Sequence, residues 1–214
     1  MSTLEAVLEL IGEFEKVLHT IKPCFKDSKY LEGVWSKAIS NSLIMLSENV
    51  GSGHMVDVVR TLKFILEAAV QSLYLYVKNK GDDDKIWHEL RVRGRHATSF
   101  NVRMVVNLPD TPHQIRRGIL RTYLAVAKYS HPAYEVLANP DILMIRSAIP
   151  KDVLELMRQT LDYVAYLAFR LCKLRNCLAN GELNPHLIRS SICSMRLERA
   201  CKYISRTTKT KDGP

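Results

Sequence analysis

Residues 54–80 read HMVDVVRTLKFILEAAVQSLYLYVKNK, and this stretch decides the fold class. Its apolar side chains return every three or four residues, which is the period of an α-helix. The apolar positions are Val56, Val59, Leu62, Leu66, Ala69, Leu73 and Val77. A helix that is apolar over most of its circumference belongs near the centre of a bundle. The remaining narrow stripe includes Arg60 and Glu67, which are ordinary surface charges if it faces solvent and need partners if it lines an internal cleft.

The same period recurs along the rest of the chain, and no segment alternates with the period of a strand. The pattern predicts helices over about residues 2–22, 29–50, 54–80, 85–107, 111–130, 151–180 and 184–205. Short connections favour antiparallel neighbours, so we expect an all-α, antiparallel up-and-down helical bundle of six to seven helices. Residues 1–150 would form the bundle core, and residues 151–214 would add a C-terminal helical hairpin packed on the same core.

Turn and capping residues mark several of the predicted helix ends. Thr111 is a natural N-cap, Pro112 suits the first position of a helix, and Gly181 suits a C-cap. Gly94 weakens the predicted fourth helix and predicts a break there. Asn184 with Pro185 predicts the start of the last helix.

Composition sets limits on the class of protein. The chain has 214 residues, of which 47% are hydrophobic, so it can bury a sizeable core. No charge-free apolar stretch reaches the length of a membrane span, and Glu5 and Glu9 stand where a signal peptide carries basic residues. We therefore expect a cytoplasmic protein with no membrane partner.

The five cysteines show no spacing that is typical of a zinc or redox site. They are Cys24, Cys172, Cys177, Cys193 and Cys201. In a reducing cytosol we expect them to be small buried apolar residues, with no metal and no cofactor. The chain has only three glutamines, which is typical of a thermophilic source, and such a source would admit a disulfide at Cys193 or Cys201.

The positive charge is concentrated in the middle of the chain. The net charge is +9, and residues 91–130 hold eight basic side chains and one acidic side chain. Such asymmetry attracts polyanions, of which nucleic acid is the commonest. We expect RNA or DNA to bind a basic surface on residues 91–128 that includes Arg93, Arg95, Arg103, Arg116, Arg117 and Lys128. On the predicted fifth helix, Arg117, Arg121, Lys128 and His131 share one face.

Two segments carry a resemblance to a known family. They are Arg60-Thr-Leu-Lys-Phe-Ile-Leu-Glu67, continuing to Tyr74, and Arg121-Thr-Tyr-Leu-Ala-Val-Ala-Lys-Tyr-Ser-His131-Pro132. These segments resemble two helices of the prokaryotic HEPN-like helical bundles. The resemblance implies an antiparallel helical bundle that is often a homodimer. In active members it implies RNA cleavage without a metal.

The active members of that family carry an Arg, four to six residues and then a His. Arg91 and His96 have this spacing, although Val92 replaces the usual polar residue and Gly94 disturbs the helix. Arg121 with His131 is the other candidate pair, although the nine residues between them exceed the spacing in that family. The His would deprotonate the ribose 2′-hydroxyl or protonate the leaving oxygen, and the Arg would neutralise charge on the phosphate.

Three functions therefore remain open. The first is a non-enzymatic module that binds nucleic acid. The second is an HEPN-like ribonuclease or a degenerate relative linked to toxin–antitoxin systems, and the third is a protein-interaction scaffold. The sequence favours the first, because the positive charge is concentrated on residues 91–128 and the Arg91–His96 segment departs from the family pattern.

Overall fold

The computed structural model describes residues 3–94, 102–130, 151–177 and 183–209. Helices dominate these ranges, and no strand occurs within them. The expected all-α class is confirmed. None of the helices in these ranges is both long and apolar enough to cross a membrane.

The helices are numbered here in chain order. After α1 and a 3₁₀ turn, α2 begins as Lys29–Leu31, passes through a π-helical stretch at Glu32–Ile39 and continues as Ser40–Gly51. The other bounds are α1 Thr3–Ile21, the 3₁₀ turn Lys22–Phe25, α3 Met55–Lys78, α4 Asp83–Gly94, α5 Val102–Val106, α6 His113–Ser130, α7 Lys151–Leu174, α8 Pro185–Ser194 and α9 Glu198–Lys209.

Helix α3 lies at the centre of the bundle, as its apolar pattern predicts. It packs against α2, α6 and α7. Leu62, Ile65 and Leu73 are fully buried in it. The indole Nε1 of Trp35 donates a hydrogen bond to Ser72 Oγ at 3.1 Å, which fixes α2 on α3 without leaving a buried donor unsatisfied.

Helix α7 is the second central element. Every residue from 161 to 170 is buried, and the helix packs against α3, α6 and α9. It ends at Leu174, short of the predicted end near residue 180, and Asn176 then adopts a left-handed φ of 57°. Gly181, the predicted C-cap, lies outside the described residues.

The predicted last helix is two helices. Its start is confirmed, because Asn184 Oδ1 accepts hydrogen bonds from the backbone N–H groups of His186 and Leu187. It ends at Ser194, Arg196 adopts a φ of 57°, and α9 begins at Glu198. The carboxylate of Asp162 on α7 accepts from the backbone N–H of Arg199 and Ala200, so a residue distant in sequence caps α9.

The cysteines divide into two groups. Cys24, Cys172 and Cys177 are buried and free, as expected. Cys193 and Cys201 form a disulfide that joins α8 to α9, so the expectation of a buried apolar role is wrong for these two. The predicted fourth helix appears as α4 and α5, with residues 95–101 outside the described ranges.

Candidate nucleic-acid interface

The loop before α6 is anchored to the core by a buried arginine. Arg170 of α7, with only 6% of its surface exposed, donates from Nη1 to Pro109 O at 2.9 Å and also bonds to Thr111 Oγ1. The first turn of α6 starts on Pro112, whose carbonyl accepts from the N–H groups of Ile115 and Arg116. Thr111 is buried and its hydroxyl donates to Pro109 O at 3.1 Å, so its side chain fixes the loop.

Helix α6 has one buried face and one cationic face. Ile119, Thr122 and Val126 are buried against the core. On the other side, Arg117, Arg121 and Lys128 are exposed, and we call these three the basic stripe. At about 100° per residue, the three lie within roughly 40° of one another around the helix axis.

The charges of α6 are not balanced within the helix. Its 18 residues include four cations and no carboxylate. Among the described residues, no Asp or Glu forms an ion pair with any member of the basic stripe. Arg116 has a different role, because it is half-buried and its Nη1 donates to Val106 O at 2.6 Å. Arg116 therefore ties α6 to α5.

A tyrosine of α7 packs against α6, the helix that carries the basic stripe. Tyr163 is buried, and its hydroxyl packs directly on Gly118, one turn before Arg121. Arg199 lies 4.5 Å above the Tyr163 ring and its Nη1 bonds to Asp162 Oδ2 at 2.9 Å. Burial raises the pKa of Tyr163, while Arg199 and more weakly Arg121 oppose that rise. Helix α6 is thus held closely against α7.

The two cleft candidates on α3 have separate partners. Arg60 is exposed and bonds to Asp57 at 3.1 Å. Glu67 is half-buried, and its carboxylate accepts a hydrogen bond from the Tyr123 hydroxyl. Burial raises the pKa of Glu67, and Lys63 and the Tyr123 bond oppose the rise. The structure does not bring Arg60 together with Glu67 in a shared ion pair.

In each candidate ribonuclease pair, only the arginine lies among the described residues. Arg91 is exposed on α4, and Arg121 belongs to the basic stripe. His96 and His131 lie outside the described residues, and so do Arg95 and the side chain of Arg93. Arg103 is exposed on α5. The described part of the chain therefore contains no complete Arg–His pair on which cleavage could be argued.

The groove between the end of α3 and α4 differs from the basic stripe because charges of both signs pair within it. Its volume is about 820 Å³. Within it, Lys78 bonds to Glu89 at 2.7 Å and Lys85 bonds to Asp82 at 2.9 Å. Within the described ranges, no three His, Cys, Asp or Glu side chains are grouped so that they could hold a metal ion.

Sequence reasoning missed Arg170 and Tyr163, which position the stripe. A charged residue inside the apolar run AYLAFRLC at 165–172 is a signal that Arg170 needs buried partners. Gly118 inside a helix is a signal of close packing. Neither signal identifies the partner, because that depends on tertiary contacts.

The described residues form a helical protein in which α6 presents a cationic face. No family model, curated protein or solved structure matches the chain.

Proposed function

We propose that the protein is a nucleic-acid-binding module that holds the backbone of RNA or DNA on the basic stripe. One observation carries the proposal: Arg117, Arg121 and Lys128 are exposed on one face of a helix that has no carboxylate. No carboxylate in the described part of the chain pairs with these cations. Cations of this kind on a fixed element favour a polyanion, because each can replace counterions around a phosphate.

The dimensions of the stripe suit several phosphates. With a rise of about 1.5 Å per residue, Arg117 and Arg121 are about 6 Å apart along the axis and Lys128 lies about 16 Å from Arg117. Phosphates recur every ~3.4 Å along the axis of a duplex strand, so each cation can reach a different phosphate. Arginine can also bind a phosphate through two N–H groups. The exposed Leu124 lies between the cations and offers an apolar contact to sugar or base.

The test is binding of a fluorescent single-stranded RNA and a DNA duplex over a series of salt concentrations. We expect affinity to fall with salt, with a log–log slope of about −2 to −3 for three phosphate contacts. The triple variant Arg117→Gln/Arg121→Gln/Lys128→Gln removes three of the nine net positive charges and should abolish most of that slope.

A matched control separates the stripe from overall charge. Lys26→Gln/Lys29→Gln/Arg206→Gln removes the same number of exposed cations from elements other than α6 and should bind almost as the wild type does. Equal losses in both triple variants would show that binding follows net charge and not the stripe. Absence of salt-dependent binding in the wild type would favour the interaction scaffold.

The ribonuclease hypothesis predicts a further outcome in the same samples. RNA cleavage in the presence of EDTA, lost in His96→Ala or His131→Ala, would support it. Binding without cleavage agrees with the proposal, because phosphate contacts made by the basic stripe need no catalytic histidine.

Several finer expectations form part of this proposal. A cytoplasmic location would place the protein where RNA is abundant. The up-and-down connectivity, HEPN-like ancestry and thermophilic source rest on sequence patterns alone. Identifying the cellular nucleic acid by crosslinking would test the location directly.

A further inference from the structure

A small pocket lies where α1, α7 and the turn between α8 and α9 meet. Its volume is about 310 Å³, which lies at the lower end of the range of ~300–1,000 Å³ for ligand sites. Ala6, Leu10 and Met195 supply apolar surface to its lining, and Leu10 and Met195 are buried. The pocket therefore suits a small molecule with an apolar part.

Charged side chains of both signs line the same pocket. The carboxylates belong to α1, where Glu9 and Glu13 are four residues apart and so lie on one face of the helix. The guanidinium groups belong to Arg158 on α7 and to Arg196 in the α8–α9 turn. Different elements thus supply the negative and the positive groups. A ligand that carries both charges matches this lining better than a simple anion or a simple cation does.

Arg158 has hydrogen-bonding capacity that the described part of the chain does not use. Its Nε is buried, and no described residue accepts a hydrogen bond from it. Its Nη1 lies 3.9 Å from Glu155 Oε2, which is a long contact, and Glu155 also accepts a hydrogen bond from Gln159. A buried N–H without an acceptor lowers stability, and a carboxylate can accept from two N–H groups of one guanidinium. A ligand carboxylate would therefore satisfy the Nε once the weakly held side chain turns towards the pocket.

Arg196 occupies a backbone position that favours glycine. It follows the end of α8 with a left-handed φ of 57°. Its N–H bonds to Cys193 O at 3.1 Å, and the next N–H along the chain bonds to Ile192 O at 3.4 Å. These two bonds are the pattern of a helix end at which glycine usually takes the left-handed position. An arginine in this conformation is strained, and a strained residue that lines a pocket points to a use for its side chain there.

We infer that this pocket binds a free α-amino acid with an apolar side chain. Glu9 binds the ammonium group of the ligand, while Arg158 and Arg196 bind its carboxylate. The apolar side chain of the ligand packs on Leu10 and Met195. The lining holds equal numbers of carboxylates and guanidinium groups, which matches a zwitterion with no net charge. The inference does not depend on nucleic-acid binding, because the basic stripe lies on α6.

The first test is calorimetric titration of the full chain with L-valine, L-leucine and L-methionine. We expect saturable binding of at least one of them, with one ligand per chain. Two derivatives of the tightest ligand each lack one charge, because the N-acetyl derivative has no ammonium group and the amide has no carboxylate. Each derivative should bind about tenfold more weakly or worse, since it leaves one set of charged side chains without its counterpart.

The second test separates binding from stability. Glycine adopts the left-handed conformation without strain, so Arg196→Gly should unfold at a higher temperature and yet bind the amino acid about tenfold more weakly. Arg158→Gln and Glu9→Gln should weaken binding by a similar factor. Arg206→Gln on α9 and Glu48→Gln on α2 change exposed residues outside the pocket lining, so these matched controls should bind as the wild type does.

Three results would overturn the inference. The first is no heat of binding with any of the three amino acids at millimolar concentrations. The second is an N-acetyl derivative that binds as tightly as its parent, since the pocket would then be an anion site. The third is a loss of affinity in the control variants as large as that in Arg158→Gln, which would place the ligand elsewhere. Circular dichroism of each variant shows that it is folded, which keeps loss of binding distinct from loss of structure.

Discussion

Gly118 is the residue on which the position of α6 depends most directly. A Cβ at this position would collide with the hydroxyl of Tyr163 and approach its Cζ to 2.7 Å. Tyr163 cannot move aside easily, because it is buried and Arg199 lies over its ring. The close approach of α6 to α7 therefore requires glycine.

We expect Gly118→Ala to lower the free energy of unfolding by about 1–3 kcal/mol, despite the better helix propensity of alanine. Urea denaturation measures this. Adding Tyr163→Phe deletes the nearest clashing atom, so the double variant should lose less than the sum of the two single losses. If the losses of free energy of unfolding were additive, the contact between Gly118 and Tyr163 would be contradicted. Gly12→Ala, in open space, is the matched control and should not destabilise.

Glu67 is a residue whose ionisation should couple to stability. Burial raises its pKa above the ordinary 4.5, so the folded chain holds this proton more tightly than the unfolded chain. The resulting stabilisation is complete at a pH below the pKa that Glu67 has in the unfolded chain. It is lost as the pH rises through the higher pKa that Glu67 has in the folded chain. Partial exposure keeps the effect below about 1 kcal/mol.

Glu67→Gln removes this dependence and keeps an oxygen that can accept from Tyr123. We expect the variant to gain stability relative to the wild type as pH rises from 4 to 7, measured by urea unfolding at each pH. If Glu67→Gln instead became more stable relative to the wild type as the pH fell, the raised pKa of Glu67 would be contradicted.

The α8–α9 pair is the element in which sequence and structure differ most. The helical period continues through residues 184–205, and no Gly or Pro marks the break at Arg196. The break depends instead on Asp162, which caps α9 from another helix, and on the disulfide between Cys193 and Cys201. Local patterns predict elements and faces well, as the exposed stripe of α6 shows. They cannot predict partners supplied by tertiary contacts, such as Tyr123 for Glu67.

The disulfide should stabilise this element measurably. It closes a loop of eight residues, for which the chain-entropy model gives about 2.5 kcal/mol. We expect dithiothreitol, or Cys193→Ser/Cys201→Ser, to lower the free energy of unfolding by about 2 kcal/mol. Denatured protein should show three free thiols before reduction, from Cys24, Cys172 and Cys177. Five thiols in protein purified without reductant would contradict the bond.

At the scale of the whole molecule, the question is whether residues 151–214 are a part of the core or an addition to it. Val164, Leu167, Phe169 and Leu171 of α7 are fully buried. At about 1.5–3 kcal/mol each, their burial contributes roughly 6–12 kcal/mol, which is comparable to the net stability of ~5–15 kcal/mol of a typical domain. Helix α7 also anchors the loop before α6 through Arg170 and supports the basic stripe through Tyr163.

A chain that ends at residue 150 should therefore lose both its fold and its nucleic-acid interface. We expect this fragment to keep helical far-ultraviolet dichroism but to lose a cooperative calorimetric transition and to bind a hydrophobic dye, because the apolar surface of α3 that packs on α7 is exposed. A chain that ends at residue 209 keeps every described helix and should melt as the full chain does. If the shorter fragment instead melted cooperatively at the temperature of the full chain, residues 151–214 would be an independent appendage. The basic stripe would then have to be positioned without Arg170 and Tyr163.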